Sequence, residues 1–192
     1  MTGDKKGFTL IEVMVSVVLF TVIMMSVTSI FKMAIDAQRN AIAAQNVQES
    51  LKYFFEITGK EMRMAVKNNG SCNTTFVPVG EIFGLDTNLY GDTLHFKNYT
   101  GECVTYFLEK DYNDVMRFVV ARETLSGTKV DFISPAKINI NTLHFVLRTG
   151  STTPFPQPLV TMNMSASAIG SSKFQSNMTL QTSISSRYYK KN

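Results

Sequence analysis

The stretch KKGFTLIEVMVSVVLFTVIMMSVTSIFK, residues 5–32, decides how this chain is read. It opens with two lysines and a glycine. From Val13 to Phe31 it holds no charged residue, no glycine and no proline. At about 1.5 Å per residue, a helix of that length is roughly 28 Å long, close to the ~30 Å hydrocarbon core of a bilayer. One carboxylate, Glu12, stands at its mouth, the fifth residue after Gly7. An acid at the edge of an apolar segment calls for a partner.

Lys5 and Lys6 hold the N-terminus on the cytoplasmic side, which puts everything after Phe31 outside. A cleaved secretory signal has a shorter apolar region, a small-residue cleavage site and unrelated sequence beyond it. Here the run is too long and the helical pattern continues past it. An uncleaved anchor fits the length but leaves Glu12 without a reason.

The run KKGFTLIEVMVS closely resembles the cleavage and methylation site of type IV prepilins and type II secretion pseudopilins. The resemblance implies a leader of residues 1–7, cut by a prepilin peptidase between Gly7 and Phe8. It implies N-methylation of Phe8, and a filament in which Glu12 of one subunit pairs with the Phe8 amine of the next. It further implies insertion in the inner (cytoplasmic) membrane as a single pass, before entry into a periplasmic or extracellular filament. Many major pilins carry a helix-bending proline where this chain has Ser29. That departure, the length of the C-terminal region and the run YFFEITGKEMRMA at 53–65 are similar to minor subunits, the J-type pseudopilins and W-type minor pilins.

Beyond Phe31 the helical pattern continues without proline to about Lys67. Val47, Leu51, Phe54 or Phe55, Thr58, Met62 and Ala65 or Val66 recur at spacings of three or four, opposite Gln48, Lys52, Glu56, Lys60 and Arg63. The chain therefore divides into residues 8–31, a membrane and assembly half of the helix; 32–67, an amphipathic half; and 68–192, a β-rich domain. KNNGS at 67–71 reads as the helix stop, and Gly59 as a weak point and a possible kink.

After Gly70 the period changes to two. Strands are expected at 93–99, 103–109, 115–121, 143–148, 159–168 and 174–189, with TGSTTPFPQP at 149–158 as a long hairpin connection. Short loops and no crossover helix predict a mostly antiparallel sheet. The fold class is α+β, one long helix packed on that sheet.

The formal net charge is +4, spread without a basic block or interleaved aromatics, so nucleic acid is not indicated as a partner. Two cysteines, Cys72 and Cys103, match no metal or redox motif. Outside the cytoplasm they could form one disulfide; the alternative is two buried free thiols. The histidines, His95 and His144, lie in strand-like alternation and are expected to face solvent. No hydrolase, zinc-protease or phosphate-loop motif and no cofactor signature appears, so the chain is not expected to be an enzyme. LDTNLYGD at 85–92 offers Asp86, Asn88 and Asp92 as a weak calcium candidate, although the position an EF-hand fills with Glu is Lys97. From another class, a monomeric membrane-anchored binding module, an adhesin or a receptor for DNA or a surface, would use the same segment for export alone.

Overall fold

A computed structural model describes residues 7–124, 127–148, 157–169 and 177–187. Residues 1–6 of the leader, most of the loop expected at 149–158 and the last five residues lie outside them. The chain forms one long helix and eight strands, an α+β arrangement. Its contacts cluster in two compact units, Met1–Ile42 and Ala43–Asn192.

Helix α1 (Leu10–Arg63) is continuous through Gly59. It ends four residues before Lys67, because the backbone turns to other partners. The Met64 amide donates to both Lys60 and Glu61 carbonyls, Ala65 donates to Met62, and Val66 pairs with Lys97. Such tightening of the last turn satisfies carbonyls that would otherwise be orphaned.

In the second unit, Val47, Leu51, Phe54, Thr58, Gly59 and Met62 form the buried face of α1. Thr58 is buried at no polar cost, since its hydroxyl donates to the Phe54 carbonyl at 2.9 Å. Gly59 packs beside Ile184 of the second sheet, where an added Cβ would make an ordinary 3.5 Å contact with Cδ1.

Strands β1 (Phe83–Asn88), β2 (Gly91–Lys97), β3 (Cys103–Lys110), β4 (Met116–Thr124) and β5 (Gly127–Phe132) pair in sequence order. Strands β6 (Ile138–Arg148), β7 (Leu159–Ala168) and β8 (Asn177–Ser185) form a second sheet. Every neighbouring pair is antiparallel. Leu94, Phe96, Val104, Tyr106, Leu108, Phe118 and Val120 share the core face of the first sheet. On that face Phe54 meets Phe118 edge-on, with ring centroids 4.5 Å apart.

In β6 a bulge between Ile140 and Thr142 changes which parity faces inward. Ile138 and Ile140 are buried before it, Leu143 and Phe145 after it. β6 then crosses the end of the first sheet. Asn139 Oδ1 accepts from the Met116 amide of β4, and Asp92 of β2 accepts from the Phe145 amide, both at 2.9 Å.

Candidate processing and assembly site

Gly7, Phe8 and Thr9 are non-helical, and α1 begins at Leu10. The local chemistry explains why. Thr9 is the N-cap: its carbonyl accepts from the amides of Glu12 at 3.1 Å and Val13 at 3.3 Å. Its hydroxyl also receives the Glu12 amide, at 3.4 Å. Thr9-Leu10-Ile11-Glu12 follows the T-x-x-E pattern of a capping box, with Phe8 and Val13 at the two positions of a hydrophobic staple. Glu12 thus stands in the first turn, where the helix dipole favours a negative charge. The T-x-x-E signal is itself legible in the sequence, independently of any role of Glu12 in assembly.

Among the described residues, none crowds Gly7. Its φ is not positive, and a Cβ built there meets nothing within 4 Å. Phe8 is 82% exposed, and Glu12 lies beside it in a shallow depression shared with Val13, Ser16, Val17 and Phe20. Among the described residues lining that depression, Glu12 alone is ionisable.

The helix beyond is long and apolar enough to cross a membrane, and none of its apolar window is buried within the chain. Its hydroxyls do not interrupt that surface. Ser16 donates to the Glu12 carbonyl, Thr21 to Val18, Ser26 to Val22 and Thr28 to Met24, at 2.8–3.0 Å. Each of these four side chains is satisfied by its own helix, as a hydrocarbon environment requires.

The other sequence candidates fall elsewhere. Cys72 and Cys103 are joined by a disulfide, with Cα atoms 5.6 Å apart. It ties the segment after α1 to the start of β3. Asn68 anchors the same segment: its side chain donates to the Cys72 and Val77 carbonyls and accepts from the Gly70 and Cys72 amides.

Asp86, Asn88 and Asp92 do not converge. The stretch LDTNLYGD lies in the β1–β2 hairpin, in which Asp86 faces Thr93, and Thr87 faces Asp92. Asp86 and Asn88 therefore project from one side of the sheet and Asp92 from the other. Asp92 is engaged by the Phe145 amide and by His144 Nδ1 at 3.3 Å. No group of three or more His, Cys, Asp or Glu among the described residues is placed to hold a metal.

His144 is exposed, but His95 is not solvent-facing as expected. Its ring stacks on Phe76, with centroids 4.4 Å apart and planes at 9°. Burial lowers its pKa, with Asp86 pulling the other way. The segment 72–77 folds over that face of β2.

A further polar cluster joins α1 to the first sheet. Tyr106 donates to Glu61 Oε2 at 2.5 Å, and Arg122 contacts the same carboxylate at 3.0 Å. Burial, together with the charge and hydrogen bond of Glu61, pushes the Tyr106 pKa far above its ordinary value, so the phenol stays protonated and donating. Burial works against the charge on Arg122, but the hydrogen bond and charge of Glu61 outweigh it and raise its pKa.

Compared with known proteins, residues 3–28 match the family model of the prokaryotic N-terminal methylation motif. No curated protein and no solved structure matches the chain. The match covers the glycine, the cap, the acid and most of the exposed apolar helix, and the class it marks is structural. At its N-terminus the chain carries the prepilin-type signature of type IV pilin-like and pseudopilin subunits.

Proposed function

We propose that this chain is a minor subunit of a type IV pilus or a type II secretion pseudopilus. In this reading a prepilin peptidase removes residues 1–7, Phe8 is N-methylated, and α1 carries assembly. The observation that carries it is the conjunction at the start of α1. One carboxylate stands beside an exposed Phe8, at the head of an apolar helix that the chain itself leaves uncovered.

Hydrolysis after Gly7 turns the Phe8 nitrogen into an ammonium. Both that charge and Glu12 are costly alone in hydrocarbon, so pairing between subunits favours one register. Gly7 fits the same reading: among the described residues none crowds it, which leaves recognition by the peptidase as its reason. The disulfide supports a C-terminal unit outside the cytoplasm, where such bonds persist. The chain would then sit in the inner membrane as a single pass before joining the filament. The minor role is supported by Ser29 in place of a bending proline, within a helix uninterrupted from Leu10 to Arg63.

Co-expression with a prepilin peptidase, followed by intact mass and N-terminal sequencing, tests the reading. A chain starting at Phe8 with one added methyl is the expected product. A chain still starting at Met1, beside a control prepilin that is processed, would overturn it. Glu12→Ala should leave the cut intact and abolish entry into filaments. Unimpaired function of that variant as a monomer would instead favour an anchored binding module.

A further inference from the structure

We infer that Thr9 is a positioning residue for processing, because it fixes where α1 starts and so keeps the Gly7–Phe8 bond outside the helix. The inference rests on the processing reading above. A peptide bond inside a helix has its carbonyl and amide engaged along the axis and its flanking side chains splayed around it. A peptidase needs that bond as free, extended backbone. In this chain the boundary falls two residues beyond the bond: Gly7, Phe8 and Thr9 are non-helical, and Leu10 is the first helical residue.

Two groups set the boundary. The Thr9 carbonyl and hydroxyl both take the Glu12 amide, at 3.1 and 3.4 Å, so Thr9 answers a first-turn donor that a helix beginning at Leu10 leaves without an i−4 partner. Phe8 stands at the position before the cap and lines the same depression as Val13, the residue a staple would use. Gly7 is a poor helix former and resists being drawn in, but the space around it would not stop a helix: a Cβ there meets nothing within 4 Å. Without the cap, the helix start spreads over neighbouring residues. Some of those starts take Phe8 and Gly7 into the first turn.

The reaction consumes one water. The C–N bond between Gly7 and Phe8 breaks, Gly7 leaves as a carboxylate and Phe8 as an ammonium. Thr9 takes no part in that exchange. It sets the fraction of chains that present the bond, so its loss should act on apparent binding and not on the chemical step.

The test uses the full-length chain in detergent micelles with a purified prepilin peptidase, comparing wild type with Thr9→Val, Thr9→Ser and Thr9→Asp. Valine keeps the shape of threonine without the hydroxyl; serine and aspartate keep a capping oxygen. Thr9→Val should raise KM about fivefold at unchanged kcat, with Ser and Asp near wild type. The Cα chemical shifts of Gly7 and Phe8 should move toward helical values in Thr9→Val alone. The inference is overturned if Thr9→Val is cut like wild type, if Ser and Asp fail to rescue, or if the loss falls on kcat, which would mean direct contact with the enzyme. A wild-type chain left uncut beside a processed control would instead remove the processing reading, and this inference with it.

Discussion

His95 shows how one side chain can make the domain sensitive to acid. It stacks on Phe76 and its Nδ1 meets Thr105 Oγ1 at 3.0 Å. Burial lowers its pKa below the ordinary 6.5. The unfolded chain therefore takes up a proton more readily than the folded one. The stability His95 contributes is present above 6.5 and is lost as pH falls through its lowered folded value. Thermal unfolding of the full chain in detergent should show a melting temperature that falls as pH drops below 6.5, and His95→Gln should flatten that slope. Asp111 acts in a lower window. Burial opposes its charge, but the Val115 and Asn113 amides and Arg117 outweigh this and lower its pKa, so its contribution is lost only as pH falls below 3.8. Gly84 is the other residue governed by the segment that covers His95: a Cβ there would stand 1.7 Å from the Phe76 carbonyl oxygen. Gly84→Ala should lower stability by about 3 kcal/mol or more, read from urea unfolding. Neither residue was legible from β1 or β2 alone. Alternation within a strand says which side a residue takes, not which loop from earlier in the chain lies over it.

At the scale of the element, α1 was the most legible part. Val47, Leu51, Thr58 and Met62 were identified by spacing and are buried; spacing left Phe54 or Phe55 open, and Phe54 is the buried one. Phe54 is the centre of that face, touching both Phe55 and Phe118. Phe54→Ala should cost about 3–5 kcal/mol, measured as a shift in the urea midpoint. Glu61 was placed on no face, because one carboxylate does not announce its partners 45 and 61 residues away in Tyr106 and Arg122. Glu61→Gln keeps an acceptor for the phenol and removes the charge facing Arg122. With the pair partly open to solvent, the expected loss is about 1–2 kcal/mol in the same measurement. Strands β1 and β5 escaped the periodicity for a shared reason. Both are edge strands, exposed along most of their length, so little apolar alternation marks them. By contrast β7, buried at every second residue from Val160, was found with its observed bounds.

For the whole molecule, the class was legible and the arrangement was not. One helix followed by antiparallel strands follows from the periods of the sequence. Division of the strands into sheets of five and three does not, since each hairpin carries the same local pattern whichever sheet it joins. Covalent and membrane terms also act at this scale. Replacing Cys72 and Cys103 by serine removes the crosslink between the post-helix segment and β3, with an expected loss of about 2–4 kcal/mol. An acid in the middle of the apolar run should act on insertion and not on folding. Val18→Glu adds roughly 2.5–3.5 kcal/mol to the cost of entering the bilayer. Fractionation should then find the chain out of the membrane while the domain, isolated from that fraction, keeps its urea midpoint.

The inward-turned hydroxyls of Ser16, Thr21, Ser26 and Thr28 carry one more consequence. Those four hydroxyls ask nothing specific of their surroundings. On the proposed reading, acyl chains and the side chains of neighbouring subunits become interchangeable liners for the same cylinder. Moving from one to the other breaks none of these four hydrogen bonds and strands none of their donors. What remains to give the move direction is shape, and the opposite charges of Phe8 and Glu12 at the top. Such a segment is suited to repeated extraction and return, like a peg with one keyed end and an otherwise smooth shaft.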